Sequence, residues 1–147
     1  MNPYRLQEGS LDLDGEWQDR SVILLVPAGL AEGVNLVVTR DLLAPGLSLD
    51  DHLARQMMTM RREMPSFTLL EEAAAELDGR PARLLEFRWV RGGAPLYQMV
   101  LVAADEGRLL NFTASAPGDA ADAATRQALW RAISSFKFAP APEAVPA

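Results

Sequence analysis

Few side chains in this 147-residue sequence could do chemistry. The single histidine, His52, falls in the stretch LDDHLARQMM, in the first turn of a helix-like segment, where a solvent-facing imidazole is the ordinary outcome. Glu71 and Glu72 are adjacent carboxylates. Neighbours on a strand face opposite ways, however, so this pair is not expected to share a proton as an acid and base would. Ser10, Ser21, Ser48 and Ser66 lack the local setting of a hydrolase nucleophile. Cysteine is absent, which removes thiol catalysis, disulfides and thiolate metal sites. No grouping of His, Asp and Glu has metal-ligand spacing, and the glycines form no phosphate-cradling loop. The expectation is a protein that is not an enzyme and needs no cofactor and no metal.

What remains is binding chemistry, and it is apolar with a few amides. The helix-like stretch HLARQMMTMRREM holds four of the six methionines, the side chains that adapt best to irregular apolar surfaces. Leu49, Leu53, Met57, Met60 and Met64 share a stripe roughly 80° wide at about 100° per residue. Gln56 borders that stripe and Met58 lies opposite it. Gln98 stands in LYQMVLVAA, in phase with Leu96, Val100 and Val102 on the most apolar strand of the chain. A buried amide needs partners. Either neighbouring backbone satisfies Gln98, or it meets polar groups of something bound; Gln56 is open to the same two readings.

Composition limits the partners. Fourteen Lys and Arg against twenty Asp and Glu give a net charge of −6, which disfavours nucleic acid and anionic membrane surfaces. The apolar runs contain Pro and Gly and are too short to span a bilayer, so no stable membrane insertion is expected. The N-terminus shows no charged-then-apolar signal peptide, and together with the missing cysteines this points to the cytoplasm.

The elements that must position these residues read as strands with two helices. Tyr4–Leu13 ends in an alternating strand and a turn at Asp14-Gly15. Asp19–Pro27 is apolar on both faces, which predicts a strand covered on both sides. Gly33–Leu43 is the next strand. Ser48 with Asp51 forms a capping box for the methionine helix, and Pro65 stops it. Phe67–Leu77 and Ala82–Val90 flank Asp78-Gly79 as a hairpin. Leu96–Ala104 and Leu109–Ala116 continue an antiparallel meander. Asp119 is the expected cap of a last helix bearing Leu129, Trp130 and Ile133. Phe136 and Phe138 are expected in a short final strand. The fold class is thus α+β, an antiparallel meander flanked by helices: a single domain over residues 1–138, with 139–147 a disordered Pro/Ala-rich tail.

The segments LDLDGEWQDRSV, LDDHLARQMMTMRREM, LDGRPARLLEFRW, APLYQMVLV and RLLNFTASAP, in this order and spacing, resemble the DcrB-like family. Within it they are similar to the Eag-type chaperones of bacterial type VI secretion. The resemblance spans residues 4 to 138. It implies a Mog1/PsbP-like fold and a homodimer that cradles hydrophobic N-terminal transmembrane helices of a secreted effector, aiding its loading onto the secretion spike. It also implies site residues: the groove's branched aliphatics fall on Val22 and Leu24, with Ile23 the alternative if the register slips by one, and its glutamines on Gln56 and Gln98. Met57, Met60 and Val100 are candidates for further groove lining. The competing reading is a non-enzymatic module that binds a folded regulatory partner through a flat, charged epitope.

Overall fold

The computed structural model describes residues 2–139. Ten described elements of regular α or β structure follow one another, with a 3-10 turn before the last. They are β1 (Asn2–Arg5), β2 (Ser10–Leu13), β3 (Ile23–Leu25), β4 (Asn35–Leu42), α1 (Leu49–Glu63), β5 (Thr68–Leu77), β6 (Arg80–Arg91), β7 (Ala94–Asp105), β8 (Arg108–Pro117) and α2 (Ala123–Ser134). β1 and β2 pair as a separate hairpin. The other six strands form one antiparallel sheet in the order β3-β4-β8-β7-β6-β5. The fold is α+β, a meander flanked by helices.

Local chemistry explains most boundaries. The β5–β6 hairpin turns at Asp78 and Gly79, both with positive φ (49° and 82°), as a two-residue turn matched to strand twist requires. α1 begins with the expected capping box: the Ser48 hydroxyl accepts from the Asp51 N–H, and the Asp51 carboxylate accepts from the Ser48 N–H. It ends before Pro65, with Met64 as its C-cap.

Three expectations need correction. The last helix is capped by Asp122, whose carboxylate accepts from the Thr125 N–H at 2.8 Å, because Asp119 is taken up in the 3-10 turn Gly118–Ala120. Phe136 and Phe138 form no strand. They stack edge-on against each other and Phe136 against Phe112, while the Asp78 carboxylate accepts the Phe138 N–H that a ladder would have used. Finally, the run around β3 is not covered on both sides. It is a three-residue edge strand, and Val22 through Val26 are 38% to 70% exposed. The tail expected from residue 139 lies, apart from Ala139, outside the described residues.

The two faces of the sheet carry separate cores. On one, α2 packs Leu129 and Ile133 over Tyr97, Leu101, Ala103, Phe112, Ala114 and Ala116. On the other, α1 packs Leu53 over Leu85, Phe87, Val102 and Leu109, with Leu49, Met57, Met60 and Met64 partly buried around them. The methionine stripe therefore seats its own helix.

Candidate functional site

Directly paired residues in an antiparallel sheet share a face, so the register lays out the α1 face row by row. One row runs Leu24–Val37–Thr113–Val100–Leu85 from β3 to β6. The next runs Asn35–Ser115–Gln98–Phe87, and another Thr39–Asn111–Val102. Leu24 and Gln98 thus lie on the same face, adjacent rows apart. Val22 stands two residues before Leu24, just ahead of β3, and is exposed.

α1 covers only part of this face. Its buried contacts fall on β6, β7 and the near end of β8. Asp50, Ala54 and Met57 line a cavity of about 290 Å³ that they share with Glu72 of β5 and Arg83 of β6. They mark the flank of α1 turned toward β5. At about 100° per residue, Gln56 lies on the opposite flank, toward β8 and β4. Gln56 is half-buried and its side-chain amide makes no hydrogen bond among the described residues. Of the candidate groove residues, Val100 belongs to the Leu24 row, whereas Met57 is on the far flank and Met60 packs into the α1 core.

Widths show what is left uncovered. Six strands at about 4.8 Å spacing make a sheet about 24 Å across, and one helix with its side chains covers about 10 Å. Among the described residues, a lane over β3, β4 and β8 remains beside α1, wide enough for one more helix at the usual 8–10 Å interaxial distance. Its floor holds exposed Leu24 and half-buried Val37, Thr113 and Asn111. Gln98 sits at the lane's inner edge, 9% exposed.

Gln98 is held by side chains, not by backbone. The Trp89 indole N–H donates to its Oε1 at 2.7 Å, and its Nε2 donates to the Ser115 hydroxyl at 2.9 Å. Both ends of the amide are fixed, while one lone pair and one N–H remain to be used. Trp89, Ser115, Val37, Thr113 and Asn111 were not singled out from sequence. The signal existed: Asn111-Phe-Thr-Ala-Ser alternates polar and apolar at period two, so one face of β8 had to be polar.

The carboxylate pairing ruled out for Glu71 and Glu72 occurs elsewhere. A bulge between Leu69 and Glu71 shifts β5 by one residue and sets Glu71 opposite Glu86 on the α2 face. The hydrogen bond between the two carboxyls, then the charge of Glu86, then burial hold the Glu71 pKa above its ordinary value of 4.5. Burial first, and the bond its hydroxyl donates to Glu86 second, push the Tyr97 hydroxyl upward as well. The Arg126 and Arg88 guanidiniums flank the Tyr97 ring, each 6.0 Å from its centroid. This knot balances its own charges and is not arranged around a reacting atom.

This architecture is the Mog1/PsbP-like fold. It is shared, at 19% and 17% identity, with the solution structure of CyanoP, a PsbP protein of Synechocystis (TM-score 0.51, covering 78% of this chain and 79% of that one), and the crystal structure of LpqN from Mycobacterium tuberculosis (TM-score 0.52, covering 84% and 85%). Within that fold, the chain belongs to the DcrB family, whose model matches residues 8–135. It is 30% identical over 122 residues to EagT6 of Pseudomonas aeruginosa, described as an effector, covering 81% of this chain and 85% of EagT6. It also superposes on the crystal structure of PA94 from Pseudomonas aeruginosa with a TM-score of 0.78 at 23% identity, covering 96% and 99% of the two chains. Among the described residues, no helix is long and apolar enough to cross a membrane.

Proposed function

We propose that this protein is a non-enzymatic chaperone and adaptor of type VI secretion. It binds and shields hydrophobic transmembrane helices at the N-terminus of an effector, and it promotes loading of that effector onto the secretion spike. The relationship to EagT6 supports the secretion setting. One observation carries the rest: a helix-wide lane beside α1 whose floor sets Leu24, Val37 and Val100 among hydroxyls and amides, with Leu24 at its outer side and the Gln98 amide at its inner one.

A membrane helix in water exposes about 20 apolar residues. Laid in the lane, it replaces water against Leu24, Val37 and Val100 at about 25 cal/mol per Å² of apolar surface buried. Val22 extends the apolar wall, and Gln56 and Gln98 offer amides where the guest helix carries polar groups. This is recognition of a helix in a groove, apolar anchors for affinity and a few polar contacts for orientation. A homodimer would set two such lanes against a guest with more than one helix, and the cytoplasm is where such a guest waits. The competing reading, a docking site for a folded regulatory partner, asks for a flat and charged epitope; five consecutive exposed aliphatics at Val22–Val26 favour the first reading.

The test is co-expression with a reporter that carries a hydrophobic effector-type N-terminus. The wild-type chain should keep the reporter soluble, and the double variant Leu24→Asp, Gln98→Ala should lose that rescue while still unfolding cooperatively. Undiminished rescue by a folded double variant would refute the lane as the binding site.

A further inference from the structure

The two partners of Gln98 differ in kind as well as in position. The Trp89 indole, on β6, donates to Oε1 at 2.7 Å, and the Ser115 hydroxyl, on β8, accepts from Nε2 at 2.9 Å. The two ends of an amide are nearly alike in shape, so only such partners decide which end points where. A hydroxyl both donates and accepts and would suit either end. An indole N–H donates and never accepts. Trp89 therefore draws the oxygen toward β6, and the nitrogen is left toward β8, where the lane begins.

The result is a chain of hydrogen bonds with one direction. Trp89 donates to Gln98, Gln98 donates to Ser115, and the Ser115 hydroxyl keeps its own O–H to give. The two hydrogens left over, that one and the second N–H of Nε2, belong to the lane end of the chain. Gln98 is not sealed in, since 9% of its surface is open. Trp89 is itself held in place, partly buried against the α1 core with the Arg91 guanidinium 6.0 Å from its ring centroid.

We infer that Trp89 is a positioning residue for the guest: it turns the donor end of Gln98 toward the lane, so the guest answers with an acceptor. The inference rests on the proposed lane and adds the polarity of its contact. An apolar helix always carries such acceptors. Each backbone carbonyl has a second lone pair after its helical bond is made, and it comes within reach where a small residue faces the lane. A site that offers donors thus suits many apolar sequences. One that offered an oxygen would require a serine or threonine hydroxyl on each guest, because the N–H groups of a helix are already used. With phenylalanine at position 89 the oxygen loses its donor, the Ser115 hydroxyl can serve either end, and the amide is free to turn over.

The experiment uses synthetic Leu/Ala helices with a polar tail for solubility, each carrying either O-methylserine or norvaline at one central position. These side chains are equal in length and differ by one ether oxygen, an acceptor with no hydrogen, in place of a methylene. The position is moved through four successive residues, about one turn, so that in one register it faces Gln98. The affinities of the full chain for each pair give an oxygen-to-methylene ratio, from which desolvation of the ether cancels when proteins are compared. In that register the wild-type ratio should exceed the Trp89→Phe ratio roughly threefold, the size of one hydrogen bond between apolar helices. In a Gln98→Leu background, the same Trp89→Phe change should leave the ratio as it was. If phenylalanine prevents folding, benzothienylalanine at position 89, which keeps the bicyclic shape and lacks the N–H, is scored the same way. Equal ratios for wild type and variant in all four registers, or a drop that persists without Gln98, overturn the role of Trp89 and leave the lane standing. Capture of none of the helices by the wild type overturns the lane itself.

Discussion

The two faces of the sheet have the same width to cover and are covered differently. On the α2 face, one helix is supplemented by Leu30 before β4 and by Phe136 and Phe138 after α2. The strand residues below are aliphatic, aromatic or alanine: Leu101, Ala103, Ala114 and Ala116 are fully buried. On the α1 face the described residues supply one helix and no supplement over β3, β4 and the far half of β8. There the strands present Asn35, Thr39, Asn111, Thr113, Ser115 and Gln98 among the aliphatics. One face is finished by the chain itself. The other is built to the same width and left a helix short, with amides and hydroxyls where a finished core would have methyl groups.

If that contrast is right, substitutions should separate it into stability on one side and binding on the other. The largest effect is expected from Leu101→Ala under α2, where a fully buried leucine leaves a cavity and about 2–5 kcal/mol is lost. Leu24→Asp, on the uncovered edge, should change stability by only about 0.5 kcal/mol, as surface substitutions do. Urea unfolding measures both. A cost of several kcal/mol for Leu24→Asp would mean that the lane is already filled by the chain.

Ser115→Ala is next in size. It removes the acceptor of Gln98 Nε2 in a site that water barely reaches, and an unsatisfied buried donor costs about 1–2 kcal/mol. Because Trp89 still holds Oε1, the amide is loosened at one end only. The midpoint in urea should fall with an unchanged slope. No loss would show that water already serves as a partner of Gln98 Nε2 in the free protein.

How far this contrast could be read from sequence depends on how local its causes are. The meander β5–β8 was legible because Asp78-Gly79, Gly92-Gly93 and Glu106-Gly107 punctuate alternating runs, and turn chemistry acts over four residues. The in-phase position of Gln98 with Val100 and Val102 was legible for the same reason. The exposure of β3 was not: a run apolar on both faces looks the same whether its own chain or another molecule covers it. Asp119 and Asp122 were equivalent as caps until the 3-10 turn consumed the first. Phe136 and Phe138 alternate as strand residues do, and only the distant Asp78 carboxylate removes their need for a ladder. Glu71 was assigned no partner because a one-residue bulge at Leu70 decides which face it takes, and a bulge leaves no periodic trace.

The smallest effect tests that bulge. Glu71 has a raised pKa in the folded protein because it shares a hydrogen bond with Glu86, repels its charge and is partly desolvated. A carboxyl whose pKa is higher folded than unfolded binds more protons when folded, so its contribution to stability is full at acidic pH and is lost as pH rises through the raised value. This is opposite in sign to the helix cap Asp122, whose pKa is held down by the Thr125 N–H and whose contribution is lost as pH falls. Glu71→Gln keeps the hydrogen bond to Glu86 and removes the titration. The variant should therefore melt slightly higher than the wild type at neutral pH, and the difference should vanish toward pH 4. A constant offset across that range would mean that Glu71 and Glu86 do not face each other, and that the bulge turns β5 some other way.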